Sequence, residues 1–467
     1  MNTKFFGLSD TGFYSNLKNF ILYTSFLPFF AGLIAFVCWF NNLTLLGLAI
    51  FVAVACYIFI SQKDLTPIIP LLLCVIMLFR DFSITGNWHM YAILSPALVS
   101  IIIHMIRFKD KIKFGTMFLP LCTVSLALAL GGLNSFYMND YLGGLASVIS
   151  LGPGLLIVYM FFNNYVHTPK QACLKQYYSK TVMWMTFFAC LEMFVVIVNQ
   201  RFIHSPNFNV NELGWANVNC VATLIIITIP LCFYMMVKSQ QVAKWFVVAG
   251  VFCGFLLLSG SSGALLSFVL YVPFLAVYTF YSMDRTKQMS CRNVFFTVFL
   301  IALFAVTLIA VYDFSIIISL VEKALSANGR YVLYDEAISL FVKNPVFGVG
   351  LGYYNDLFPT LIGNIRAYNF HSTFYNVIAT MGIVGLTAYA YYFASRIYVF
   401  TVKDCRFSKI AFITLMIFST YGMIDTCEFN MIPLSIIIIL LCLVAEIDSK
   451  KHKMFERFQP TYSKFTD

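Results

Sequence analysis

Apolar runs separated by short polar connections occupy most of this chain, near 22–40, 43–60, 66–79, 91–106, 115–132, 143–162, 181–199, 218–237, 245–260, 262–281, 294–313, 372–397, 409–425 and 431–447. A run of about 20 apolar residues crosses a bilayer as a helix, because a helix satisfies its own backbone where water is absent. The pattern predicts an all-α polytopic integral membrane protein with about 12–14 transmembrane helices. The run at 66–79 is short for a span, and the stretch from 245 to 281 is too long for one, so a turn must fall inside it. The first run starts near Leu22, after Lys4 and Lys18, without the early apolar core and small-residue cleavage site of a signal peptide, and is expected to be an uncleaved first helix.

Composition agrees with the pattern. Of 467 residues, 60% are hydrophobic, 18% aromatic and 11% charged, with a mean hydropathy of +0.84. Soluble domains are roughly 45–50% apolar and about 25% charged. The net charge of +10 would suit a nucleic-acid partner, but its placement argues otherwise. Alternate loops hold 23 of the 30 Lys and Arg residues, including Arg107 to Lys113, Lys170 to Lys180, Arg285 to Arg292, Lys403 to Lys409 and the tail after Lys450. Such an excess marks the cytoplasmic side, so both termini are expected there and no nucleic acid is implied. The opposite side keeps Arg80, Arg201, Lys323, Arg330, Lys343 and Arg366, while Arg396 falls near a helix end. The thirteen cysteines lie mostly inside apolar runs without metal-binding spacing, and they read as small core residues, with no metal or other cofactor expected.

The chain therefore reads as one integral membrane domain, 1–467, with a long extracytoplasmic loop at 314–371 and a basic cytoplasmic tail at 448–467. Loops of that length are usually functional or disordered. This one contains NGRYVLYDEAISLFVKNPVFGVGLG from Asn328, in which Leu333, Ala337, Leu340 and Phe341 recur at helical spacing and Asn344-Pro345 supplies a stop. An amphipathic helix against the membrane face is predicted. Gly348, Gly350 and Gly352 follow a helix rather than a strand, so tight turns and close backbone approach explain them better than a nucleotide loop does.

Two further outer segments carry polar residues. Around Val198 to Pro230, Arg201, His204 and Glu212 precede Asn217 and Asn219, which enter an apolar run and so are expected to face a wet cavity or to cap and glue helices. In GFLLLSGSSGALLSFVL, Ser259 to Gly263 interrupt the long apolar stretch, either as a plain outer turn or as a turn offering Ser262 to a ligand. Together the outer segments present Arg201, Arg330, Arg366 and His371 without a matching cluster of carboxylates. Guanidinium groups bind phosphate oxygens bidentately, so an anionic ligand at the outer leaflet, such as a lipid diphosphate, would account for the set.

The order GRYVLYDEAISLFVKNPVFGVGLGYY then NFHSTFYNVIATMGIVGL resembles the O-antigen ligase and Wzy-type polysaccharide polymerase superfamily, as does the Asn-rich entry GWANVNCVATLIIITIP. The resemblance spans roughly Arg201 to Leu386. It implies a GT-C-like membrane glycosyltransferase that moves an oligosaccharide from an undecaprenyl-diphosphate carrier to an acceptor glycan hydroxyl on the outer face, without a metal. It also implies Arg330 and Arg201 as diphosphate ligands and His371 as base or acceptor-orienting group. Arg366 joins them by charge and position only, and Tyr353, Asn217, Asn219 and Ser262 complete the expected glycan- and diphosphate-binding set. Many relatives have Ser-Arg-Gly-Ala where this chain has Ser261-Ser262-Gly263-Ala264, so Ser262 stands where the resemblance would place a further phosphate-side cation. Ser372 stands where ligases commonly carry Asn, a lean toward polymerase.

A lipid-oligosaccharide flippase is the competing class. Such transporters show internal repeats and ionisable residues within spans, whereas this chain shows no convincing repeat and Glu192 is its clearest intramembrane charge. The expectation is thus a repeat-unit polymerase of O-antigen, capsule or exopolysaccharide type. A ligase that uses a different acceptor is the alternative, and a flippase and a chain-length regulator are possible partners.

Overall fold

A computed structural model of the protein describes residues 12–79, 88–109, 112–133, 145, 148–167, 173–200, 213–215, 217–289, 292, 330–351, 370–402, 405–425, 427–428 and 432–456. Its elements are helical, as the apolar pattern requires, and two compact units form: 1–111 with 165–217, and 112–164 with 218–467. Among the described residues eight helices are long and apolar enough to cross a membrane, or nine if one bent pair is a single span. The protein is thus an all-α, multi-pass membrane protein. The expected span at 294–313 lies outside the described residues.

The first unit contains α1 (Gly12–Tyr23), α2 (Phe26–Phe40), α3 (Thr44–Ser61), α4 (Ile68–Cys74), α5 (Trp88–Arg107) and, later in the chain, α8 (Leu174–Val198). The run expected as one helix at 22–40 is bent by 54° between α1 and α2. The run at 66–79 does not span. It forms α4 and a 3-10 turn, Val75–Leu78, whose residues are almost all buried in protein, so burial rather than lipid explains its apolarity. Glu192 on α8 is fully buried, and its Oε2 accepts the Gly214 backbone N–H at 3.2 Å. The intramembrane carboxylate noted in the sequence therefore ties the 213–215 turn to a helix.

The second unit contains α6 (Phe118–Leu133), α7 (Leu155–Tyr165), α9 (Val218–Lys238), α10 (Val242–Ser259), α11 (Ser262–Ser282), α12 (Arg330–Lys343), α13 (Thr373–Thr401), α14 (Arg406–Ile424) and α15 (Ile432–Glu456). Every position of α9 from Cys220 to Val237 is buried, as expected of a helix apolar all round, and it packs with α10, α11 and α14. Gly260 closes the α10–α11 turn at φ +66, so the long apolar stretch folds back at the serine-glycine cluster. The basic tail begins as a continuation of α15, which runs to Glu456.

The predicted amphipathic helix is α12. Leu333, Ala337 and Leu340 are buried and pack with Val349, Phe370 and Ala379, while Phe341 is half-buried. After Lys343 the chain turns through Gly348 and Gly350, at φ +70 and +86, values that glycine adopts without cost.

α13 hides a feature its apolar pattern does not reveal. Gly382 has φ 62 and ψ −153, so two helices meet there. In an unbroken helix the N–H groups of Ile383 and Val384 would bond to the carbonyls of Ala379 and Thr380. Instead they donate to Pro345 O (2.9 Å) and Val346 O (3.2 Å), while the Ala379 and Thr380 carbonyls accept from Val349 N and Gly350 N, both at 2.9 Å. The loop after α12 is thereby stitched into the break, and each backbone group displaced from the ladder finds another partner.

Candidate functional site

The stitch brings α12 against the first half of α13, and His371 lies just before that half. Phe370 is fully buried in the α12 cluster and Ser372 is the extended N-cap residue of α13. Between these anchors His371 takes φ +47, a left-handed conformation that non-glycine residues seldom occupy. Strained backbone held by well-fixed neighbours is common at functional sites. Tyr334 of α12 stacks on Tyr375 of α13 with ring centroids 4.2 Å apart, and its hydroxyl donates a long 3.4 Å hydrogen bond to the His371 carbonyl. The helix opened by Arg330 thus also touches the histidine's own backbone.

The His371 ring meets a carboxylate. Its Nδ1 is 3.0 Å from Asp425 Oδ1, with the His371 side chain 34% exposed and Asp425 12%. Asp425 is the residue at which α14 ends. Its other oxygen accepts a 3.4 Å hydrogen bond from the buried Tyr421 hydroxyl, one turn back on α14. The Ser261 side chain adjoins the same hydroxyl, and Gly263 leaves no more than a Cβ-sized gap to Tyr421 and Ile424. The serine-glycine turn therefore lies against the carboxylate-bearing end of α14. Ser262 itself is half-buried as the first residue of α11, and it is Ser261 that reaches Tyr421.

Two hydroxyls beside the histidine, Ser372 Oγ and Thr373 Oγ1, are buried without a hydrogen-bond partner. Thr373 also lies next to Gly422, where a Cβ would come within 3.1 Å of Thr373 Oγ1. Just beyond Asp425, Cys427 and Glu428 are buried; burial first, then the neighbouring Asp425 and Glu428 charges, pushes the Cys427 thiol well above its ordinary pKa. Glu428 forms an ion pair with Arg396 of α13, through Nη1 to Oε1 and Nη2 to Oε2 (3.3 Å). Arg396 is completely buried, its guanidinium 4.1 Å from the Tyr392 ring centroid. The segment carrying Asp425 is thus held from both sides.

The residues chosen from sequence fare unevenly. His371 stands at the centre of this arrangement. Arg330 is the first residue of α12, which packs on α13. Asn219 is exposed in the first turn of α9, its carbonyl accepting from Thr223 Oγ1, and Asn217 is exposed and belongs to the first unit. Arg201, Tyr353 and Arg366 lie outside the described residues. Asp425 was missed. The expectation that the outer set has no matching cluster of carboxylates is corrected for His371 by Asp425, which with the Arg396 partner Glu428 lies in the polar break MIDTCEFN between the last two apolar runs. An ionisable residue at such a break was the available signal. Among the described residues no group of three His, Cys, Asp or Glu side chains is placed to hold a metal.

Residues 245–390, about a third of the chain, match the family model described as O-antigen ligase. The match runs from within α10 into α13 and contains the α10–α11 turn, Arg330, α12, the stitched loop and His371. It bears out the resemblance to the O-antigen ligase/Wzy-type superfamily and supports a membrane enzyme of the O-antigen ligase or polymerase type, without separating the two. Asp425 and Arg396 lie beyond it. No curated protein matches the chain.

Proposed function

We propose that this protein is a membrane glycosyltransferase that polymerises oligosaccharide repeat units carried on undecaprenyl diphosphate, at the outer face of a bacterial cytoplasmic membrane. The observation that carries the reading is the His371–Asp425 pair, 3.0 Å apart, beside the helix opened by Arg330 within the family-matched region. With Asp425 on Nδ1, that nitrogen carries the ring's proton and Nε2 takes the proton of the acceptor hydroxyl. The carboxylate holds the ring's orientation and stabilises the imidazolium that results.

The rest of the chemistry is positioning and charge. A sugar diphosphate leaves readily once its developing charge is matched, and cations held in place before the reaction supply that match without reorganising. Arg330 fills this role in the proposal, with Arg201 and Arg366 assigned to the same diphosphate. Asn217, Asn219, Ser262 and Tyr353 remain candidates for glycan contact. Direct attack by the acceptor hydroxyl inverts the anomeric centre.

The second reading is a ligase that transfers the finished lipid-linked glycan to another acceptor, and the description of the matched family favours it. Purified protein supplied with a lipid-diphosphate-linked repeat unit distinguishes the two. A ladder of lengths supports the polymerase; a single transfer that requires a separate lipid or glycan acceptor replaces it with the ligase. Arg330→Ala and His371→Ala are expected to abolish either product in folded protein, while Lys343→Ala, an exposed cation on the same helix, leaves it intact. Normal yield from His371→Ala would end the site assignment.

A further inference from the structure

A carboxylate that holds a histidine must itself be held, because the terminal torsion of an aspartate is broad and leaves the carboxylate plane free to turn. Asp425 stands where α14 ends, with extended backbone at φ −139 and ψ 166, beyond the restraint of the helix itself. Tyr421, one turn back, reaches it twice. The Asp425 N–H donates to the Tyr421 carbonyl at 2.8 Å. The Tyr421 hydroxyl donates to Asp425 Oδ2 at 3.4 Å, the oxygen opposite the one that meets His371.

The ring that makes this contact has little freedom. Tyr421 is buried, and a Cβ on Gly263 would come within 3.2 Å of its Cε2 and 3.0 Å of Ile424 Cγ2, so a larger residue in the α10–α11 turn would push the ring aside. The Ser261 side chain of the same turn adjoins the hydroxyl. On the next residue along α14, a Cβ on Gly422 would meet Thr373 Oγ1 at 3.1 Å, so this end of α14 also packs closely on the start of α13. Tyr421 thus connects the α10–α11 turn, inside the family-matched region, to an aspartate beyond it.

We propose that Tyr421 is a positioning residue of the transfer reaction: its hydroxyl turns the Asp425 carboxylate so that Oδ1 meets His371 Nδ1, and the α10–α11 turn fixes the ring that does so. The inference rests on the reading of His371 and Asp425 as the proton-handling pair and deepens it. It holds for a polymerase and a ligase alike, because both need the acceptor hydroxyl's proton removed. Tyr421 acts through Asp425 and touches no substrate.

The test is labelling of His371 by diethyl pyrocarbonate in the full-length protein in detergent, followed by peptide mass spectrometry, alongside initial rates of glycan transfer. The labelling is run at about pH 8, where an ordinary imidazole is neutral. An imidazole whose Nδ1 proton is held by a carboxylate is the stronger nucleophile at Nε2. Tyr421→Phe is therefore expected to lower both the labelling rate and kcat about 3- to 10-fold, the range of one ordinary hydrogen bond, with donor KM unchanged. In Asp425→Ala, which leaves no carboxylate to orient, adding Tyr421→Phe lowers neither rate further. The control is Tyr271→Phe on α11, which removes a hydroxyl 2.9 Å from Thr420 Oγ1 on α14 and is expected to keep both rates. Wild-type labelling of Tyr421→Phe overturns the proposal, as does an equal loss in the Asp425→Ala background, the mark of a general packing effect. Labelling reads the resting protein, so it decides whether Tyr421 positions the pair even if the wild-type protein transfers no lipid-linked glycan, a result that ends the functional reading instead. Should Tyr421→Phe fail to fold, Gly263→Ala displaces the ring with every hydroxyl retained, and unchanged labelling there overturns the proposal.

Discussion

Replacing Gly382 with alanine tests whether the break in α13 holds the site together. At φ 62 and ψ −153 the residue occupies a region essentially restricted to glycine, and forcing an L-residue there costs of order 1–3 kcal/mol. The new Cβ would also fall 2.5 Å from Val346 O and 2.7 Å from Pro345 O, both backbone atoms that cannot rotate away. Relief requires the loop to withdraw, which breaks the bonds from Ile383 N and Val384 N at about 0.5–1.5 kcal/mol each. The sum is a loss of about 2–6 kcal/mol. SDS-titrated unfolding in mixed micelles, followed by intrinsic fluorescence, reads it directly. The control is Gly250→Ala on α10, where a Cβ meets nothing within 4 Å and the helix gains about 0.5–1 kcal/mol. If Gly382→Ala unfolds at the wild-type midpoint, or Gly250→Ala loses as much, the stitched break does not secure the α12–α13 contact.

Three further expectations follow from the same geometry. Asp425→Asn keeps the side chain's shape but removes the charge facing His371, so kcat is expected to fall at least about 100-fold with little change in donor KM; initial rates across donor concentration check it, and an unchanged kcat refutes the pairing. Arg396→Gln strands buried Glu428 and is expected to cost about 3–5 kcal/mol in the micelle titration, while the apolar pair Arg396→Met with Glu428→Leu recovers most of it. Asp64, in the turn between α3 and α4, has its pKa raised by burial despite the N–H and O–H groups of Thr66 and the His167 N–H that donate to it. The folded state therefore holds that proton more tightly than the unfolded chain. The stability this contributes is present below the ordinary aspartate pKa of about 3.9 and is lost as pH rises through the raised value, a slope that Asp64→Asn is expected to flatten in unfolding measurements across that window.

The parts of this protein legible from sequence share one property: each follows from local pattern. Apolar runs near a membrane's thickness marked α3, α5, α6, α9, α10, α11, α13 and α14 within a few residues, while α8 begins about two turns before its run. Helical spacing with an Asn-Pro stop marked α12, and the order of Arg, Gly-rich turn and His marked the region that the family comparison then matched. The run at 66–79 misled because apolarity alone does not distinguish a short helix buried in protein from one in lipid.

Tertiary structure decided which groups meet. Asp425 is 54 residues from His371 and joins it only because α14 ends where α13 begins. Glu428 and Arg396 are 32 residues apart and find each other across buried space, where an unpaired charge would be costly. Gly382 reads in sequence as one more small residue in an apolar helix, yet its conformation lets two carbonyls and two N–H groups leave the ladder and take the loop as partner. Periodicity is a property of neighbours in the chain, so it located the helices; the His371–Asp425 pair and the break in α13 arise from contacts between segments, and those exist only once the chain has packed.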